Sequence, residues 1–297
     1  MSKEQLAAIE QEIRQRPGLV GSDLASQRAA FDTLLSTNEG LPDHATEVGE
    51  LGGVPVVRLG AGEDVLLFLH GGAYVLGSAA ASTRLAGAIG ERAGARVISV
   101  DYRLAPEHPF PAGLDDALAA YRALLDSGVP AERIAFAGDS AGGGLVLATL
   151  LAARAAGVPL PSSAVLLSPW ADLTGTAASL TERADLDPVL SSAALAATAS
   201  LYLGQTDPAN PLVSPAYADL RGLPPLLIEV GSHEILLDDA LRLAAKAAAD
   251  EVAVRLEVTP GATHVFQIHG ERLDEALAVL RHIGEFIRAN LALGVSG

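Results

Sequence analysis

The sequence has no cysteine, and that one absence removes disulfide staples, cysteine-based zinc sites and a thiol nucleophile together. Positive charge is also scarce. Twenty Lys and Arg stand against 36 Asp and Glu, a formal net charge of −16 at pH 7. The clustered basic side chains that hold a polyanion are missing, which excludes nucleic acid and anionic membrane as partners. Long apolar runs are missing too: the longest, Ala141 to Ala153, stops at Arg154, short of the ~20 residues that cross a bilayer. The start, M-S-K-E-Q-L-A-A-I-E-Q-E-I-R-Q-R-P-G, is charged and amphipathic without the apolar core of a signal peptide, so a soluble, cytoplasmic protein is expected. No repeat, heptad array or low-complexity tract is present. What remains is a chain of 297 residues, 49% hydrophobic and 19% charged, long enough to bury a substantial core.

Residues Ser2 to Asn38 read as two helices, with Leu6, Ile9 and Ile13 on one apolar stripe and Phe31, Leu34 and Leu35 on another. From Val54 the texture changes to short apolar strands alternating with helices. Strands are expected over Val54 to Leu59, Val65 to Leu69, Val97 to Val100, Ile134 to Ala137, Val165 to Leu167, Leu226 to Val230 and Val254 to Val258. Continuous apolar strands separated by helices predict an α/β fold whose mostly parallel central sheet is covered on both faces. The first two strands are close enough to pair as a hairpin. Between Leu167 and Leu226 a long proline-rich insertion contains the helix-like S-S-A-A-L-A-A-T-A-S-L-Y-L, and a segment of that length suits a binding element. A single domain is expected, with a helical cap from residues 1–45 and 174–212 over a core of 46–173 and 213–297.

The polar motifs fall just past the strands, where ligands bind in such sheets. After Ile134 to Ala137 comes Gly138-Asp139-Ser140-Ala141-Gly142 and then a helix. Glycines at this turn allow a strained Ser140 with its hydroxyl exposed at the helix's positive end. Val65 to Leu69 runs into His70-Gly71-Gly72-Ala73-Tyr74. The strand ending at Val230 runs into Gly231-Ser232-His233-Glu234, and the last one into Pro260-Gly261-Ala262-Thr263-His264. The chain order Ser140, Glu234, His264 is that of α/β-hydrolases. A serine hydroxyl needs a base to take its proton, His264 can do so near neutral pH, and Glu234 orients the imidazole. Backbone N–H groups of Gly71, Gly72, Ala73 and Ala141 are the expected oxyanion donors. Asp238 and Asp239 rival Glu234, although they fit the opening of the next helix.

H-G-G-A-Y, D-Y-R-L-A-P-E-H-P-F-P-A (Asp101 to Ala112), G-D-S-A-G-G, S-P-W-A-D-L and the segment Gly261 to His264 resemble the hormone-sensitive lipase family, the bacterial family IV esterases of the α/β-hydrolase superfamily. The resemblance runs from Val54 to the C-terminus. It implies a carboxylic ester hydrolase for short to medium acyl chains, acting on a small-molecule ester through an acyl-enzyme without metal or organic cofactor. Some family members open lactones or form homodimers. Two positions depart from the family. Its H-G-G-G loop has Ala73 as third small residue, which keeps its N–H, and its Asp-Pro-Leu acid segment reads Glu234-Ile235-Leu236.

Other residues have plainer readings. His70 braces its loop, His233 is an exposed neighbour of the acid, and His269 sits near the following helix. Arg103 and Glu107 form buried structural pairs, and Trp170 and Asp172 touch the pocket or brace its loop. Gly142 to Gly144 are no phosphate loop, because no Lys-Ser or Lys-Thr follows. Two alternatives share the fold: a lactonase, and a non-catalytic small-ligand receptor resembling plant gibberellin receptors, which lack the catalytic histidine that His264 supplies here.

Overall fold

The computed structural model describes residues 2–15 and 23–294, so stretch 16–22 of the expected helical region lies outside the described residues, as do 1 and 295–297. Two helices open the chain, α1 (Lys3–Gln15) and α2 (Leu24–Ser36). The Asp23 carboxylate caps α2 by accepting the Ser26 N–H, one of the donors a first turn leaves unpaired. Next come β1 (Thr46–Leu51), β2 (Val54–Leu59), β3 (Val65–Leu69), α3 (Thr83–Ala93), β4 (Arg96–Val100), α4 (Ala112–Asp126), β5 (Ile134–Asp139) and α5 (Ala141–Ala155). After β6 (Ser163–Leu167), the insertion holds the short α6 (Ser179–Glu182) and α7 (Ser192–Leu203). The chain continues through β7 (Leu226–Gly231), α8 (Leu237–Ala249), β8 (Val254–Thr259) and α9 (Asp274–Gly294).

Among the described residues the strands form one eight-stranded sheet ordered β1-β2-β4-β3-β5-β6-β7-β8. Every pairing from β4 to β8 is parallel, while β2 runs antiparallel to both β1 and β4. The expected hairpin between β2 and β3 does not form: Val57 of β2 faces Val48 of β1 on one side and Ser99 of β4 on the other. Burial explains the exchange. The five residues of β3 are all buried and suit the centre of the sheet, whereas β2 leaves Pro55 exposed and suits a place near its edge. Its true hairpin partner β1 gave no apolar signal, because T-E-V-G-E-L is largely exposed. Gly52 and Gly53, both at positive φ (63° and 80°), make the two-residue turn that fixes the register.

Alternate residues of the central strands feed opposite cores. Leu67, Leu69 and Phe136 pack with Tyr121 of α4 and Leu145 of α5, while Leu66, Phe68 and Ala137 pack with Ile89 of α3 and Ile283 of α9. Each buried Leu or Phe contributes roughly 1.5–3 kcal/mol, so both layers hold the strand ends in fixed positions. The N-terminal stripes differ. Leu6, Ile9 and Ile13 of α1 pack against Ala262, Phe266, Leu273 and Ala276, the structure flanking His264. Of the second stripe, Leu34 is exposed and Phe31 and Leu35 are half-buried. The insertion touches α1, since the Arg14 guanidinium donates to the carbonyls of Asp185 and Leu186 at 3.0 and 3.4 Å.

Candidate active site

Ser140 stands alone between β5 and α5 with φ 54° and ψ −121°, a conformation that costs a non-glycine residue of order 1–3 kcal/mol. Backbone bonds hold it there. Its N–H donates to Leu167 C=O at 2.8 Å, and its C=O accepts the N–H groups of Trp170 at 2.9 Å and Gly143 at 3.0 Å. Crowding demands the flanking glycines: a Cβ at Gly138 would strike the carbonyl of Gly142, and one at Gly142 the carbonyls of Leu69 and His70. The turn thus sets the serine at the positive end of α5.

The structure brings Ser140, His264 and Glu234 together. His264 Nε2 lies 2.9 Å from Ser140 Oγ, and His264 Nδ1 lies 2.7 Å from Glu234 Oε2. Both histidine and glutamate are buried. Burial alone would lower the imidazole's affinity for a proton, but the hydrogen bond and charge of Glu234 outweigh it and hold His264 above its ordinary value. Burial pushes the Glu234 carboxyl up, opposed by His264 and by donors from Gly231 and Ser168. The arrangement suits a carboxylate that steadies an imidazolium formed when the serine proton leaves.

The loop after β3 lies beside this pair. Gly71, one of the expected donors, has its N–H engaged by Asp139 Oδ1 at 2.9 Å, so it is not free to meet an oxyanion. No described group accepts the N–H of Gly72, Ala73 or Ala141. Asp139 therefore ties the loop to the strand that precedes Ser140, and burial pushes its carboxyl up to about 6. His70 braces the loop as expected. Its ring stacks on Tyr102 at 4.3 Å, its Nδ1 lies 2.8 Å from Gly71 O, and the Tyr102 hydroxyl donates to His70 C=O.

The rival acids face elsewhere. Asp239 accepts the N–H groups of Ala171 and Asp172, both at 2.8 Å, and Asp238 accepts that of Ser179 at 2.9 Å. Asp172 is buried and bound to Arg242, Tyr217 and Thr174, which makes it a loop brace. Arg103 and Glu107 depart from the buried pairs expected of them. Arg103 binds Asp116 and Glu107 binds Arg28, with Arg103 and Glu107 about half exposed because both pairs lie where the loop meets solvent. His233 is half-buried, 3.9 Å from Glu10, and His269 is buried in the 3-10 stretch Phe266–Arg272.

Ser168 has a role its motif did not reveal. Its hydroxyl donates to Glu234 Oε1 at 2.7 Å and accepts the Val265 N–H at 3.1 Å. The available signal was its place directly after β6, the strand-end position that Ser140 and Glu234 also occupy. Among the described residues no group of three or more His, Asp or Glu side chains is placed to hold a metal ion, and no helix is long and apolar enough to cross a membrane.

A family model described as alpha/beta hydrolase fold matches residues 66–268. The chain is 47% identical over 230 residues to an acetyl-hydrolase of Streptomyces hygroscopicus, covering 77% of each. It is 42% identical to the crystal structure of an esterase from the bacterial hormone-sensitive lipase family, with a TM-score of 0.92 over 98% of this chain and 99% of that one. A crystal structure of EstE5 soaked with p-nitrophenyl butyrate is 38% identical, with a TM-score of 0.92 over 98% of this chain and 100% of that one.

Proposed function

The chain belongs to the alpha/beta hydrolase family and, within it, to the hormone-sensitive lipase esterases; from that membership as a serine carboxylesterase we propose a Ser140-His264-Glu234 mechanism on short- to medium-chain acyl esters. His264 Nε2 takes the Ser140 proton as Oγ bonds to the ester carbonyl carbon, and the carbonyl electron pair moves onto oxygen. The N–H groups of Gly72, Ala73 and Ala141 receive that oxyanion, each donor contributing about 3 kcal/mol where such groups have been removed. Glu234 stabilises the imidazolium. Collapse of the intermediate breaks the bond to the alcohol oxygen, which leaves with the proton from Nε2. His264 then takes a proton from water, the hydroxide attacks the acyl carbon, and Ser140 recovers its proton as the acid departs.

The observation that carries this reading is the unbroken contact from Ser140 Oγ through His264 to Glu234, 2.9 and then 2.7 Å. In the same proposal the N-terminal helices and residues 174–212 form the cap. A small ester is the partner, and the acidic surface disfavours nucleic acid. The receptor alternative lacks a motive, because His264 is present and in contact with the serine.

Ser140→Ala, assayed on p-nitrophenyl acetate and butyrate with circular dichroism as the control for folding, tests the reading. Loss of turnover in a folded variant is expected; undiminished turnover would sink it. A series of aryl esters and lactones run beside it ranks acyl length and ring substrates.

A further inference from the structure

Ala73 and Tyr74, which follow Gly72 in the donor loop, both have left-handed backbone, with φ 54° and 63°. Residues with a Cβ keep that conformation only where the surroundings impose it. The peptide joining Gly72 to Ala73 carries the Ala73 N–H, so that donor points correctly only while the strained stretch is held. Several contacts hold it. The Tyr74 C=O accepts the Ala105 N–H at 2.9 Å. The Tyr74 ring lies flat on Tyr202, centroids 3.8 Å apart and planes within 7°. Trp170 sits 5.9 Å from the Tyr74 ring and donates its own backbone N–H to Ser140 C=O.

Tyr202 comes from α7, in the insertion, and is itself well seated. Its C=O accepts the Phe110 N–H at 2.8 Å, and the Phe110 ring meets its ring edge-on at 6.0 Å. The buried positions of α7 are Leu195, Ala199, Tyr202 and Leu203, a helical stripe that ends on the donor loop. Only 4% of the chain is aromatic, yet Tyr74, Phe110, Trp170 and Tyr202 gather at this one junction, which marks it as more than incidental packing.

We infer that Tyr202 is a positioning residue: through its stack on Tyr74, helix α7 holds the Gly72-Ala73-Tyr74 backbone in the conformation that aims the oxyanion donors. Seating of the insertion and stabilisation of the transition state are then one event. The inference rests on the proposed function in one respect, that Gly72 and Ala73 bind the oxyanion. It separates from a simpler role for Tyr202 as a wall of the substrate site, because a wall alters ground-state binding and a donor clamp alters the transition state.

The test compares the parent, Tyr202→Phe and Tyr202→Leu on p-nitrophenyl butyrate, with thermal unfolding and the affinity for a trifluoromethyl ketone that forms a tetrahedral adduct. Phenylalanine keeps the stacked ring, and kcat is expected within about twofold of the parent. Leucine fills the space without the ring, and kcat is expected to fall about ten- to a hundredfold with KM changed less than about threefold. Adduct affinity should fall by the same factor as kcat. Should Tyr202→Leu not fold, Tyr202→Met carries the same expectation. Unchanged kcat in the folded variant, or a raised KM alone, overturns the inference while an active parent leaves the proposed function standing. An inactive parent, or a fully active Ser140→Ala variant, overturns both.

Discussion

The Ser168 hydroxyl donates to Glu234 Oε1 at 2.7 Å while accepting the N–H of Val265, the residue next to His264. One hydroxyl therefore ties the acid to the histidine's backbone, and its loss leaves a buried carboxylate oxygen with one fewer donor. Ser168→Ala is expected to lower kcat by about tenfold, the lower end of the loss seen when the hydrogen-bond partners of metal-binding side chains are removed. Because a competing donor to the carboxylate is gone, the charge of Glu234 bears more fully on the imidazole, so His264 should hold its proton more tightly and the acid limb of the pH–rate profile should move to higher pH. A profile that overlays the parent's would show that Ser168 only packs.

Glu234 against its neighbour Asp238 decides which carboxylate serves the histidine. Glu234→Gln keeps the shape but offers His264 Nδ1 an amide in place of a carboxylate, and kcat should drop by about 10⁴-fold, as for the equivalent change in serine proteases. Asp238→Asn should leave kcat within a few-fold, because its carboxylate meets the Ser179 N–H and not the imidazole. Steady-state rates of both variants on p-nitrophenyl butyrate check this, and the opposite ranking would move the acid's role to Asp238.

Much of this site could be read along the chain because Ser140 and Glu234 follow apolar runs and His264 follows the alternating V-R-L-E-V, each of which becomes a strand, and parallel strands of one sheet present those ends together. What could not be read depends on contacts between distant residues. Whether the Gly71 N–H is free is decided by where the Asp139 carboxylate turns, 68 positions along. The edge strand Thr46–Leu51 carries no apolar pattern because an exposed strand needs none, and without it the sequence pairs β2 with β3 instead of β1. Tyr74 and Tyr202 are joined only by the folding of the insertion onto the loop.

Under the proposed mechanism the acid limb of kcat/KM reports the protonation of His264 in the free enzyme. Glu234 holds the imidazole's proton affinity above its ordinary value, so the half-maximal rate is expected above the ordinary histidine pKa of about 6.5. Stability runs the other way. A proton bound more tightly in the folded state stabilises it fully below the unfolded pKa, and that contribution fades as pH rises through the folded value. Activity should therefore climb over the same interval in which this contribution to the unfolding temperature declines. Rate and melting profiles recorded in the same buffers check the pairing, and a half-maximal rate well below pH 6 would contradict it.

Glu229 lies in the middle of β7, fully buried, with neither carboxyl oxygen hydrogen-bonded. His282 Nδ1 is 3.5 Å away, and Glu257 stands opposite on β8. Burial first, and the charge of Glu257 second, push the Glu229 carboxyl up to about 9. An unfolded-chain glutamate titrates near 4.3, so between that value and about 9 the folded protein holds a proton the unfolded chain lacks. Stability must fall as pH rises through this window. Glu229→Gln keeps the shape and removes the titration, so its unfolding temperature should gain on the parent's steadily from pH 5 to pH 9, by roughly 2–4 °C for each kcal/mol recovered. Melting curves of the two proteins at matched pH values test this, and parallel curves would mean that Glu229 titrates alike in the folded and unfolded chains.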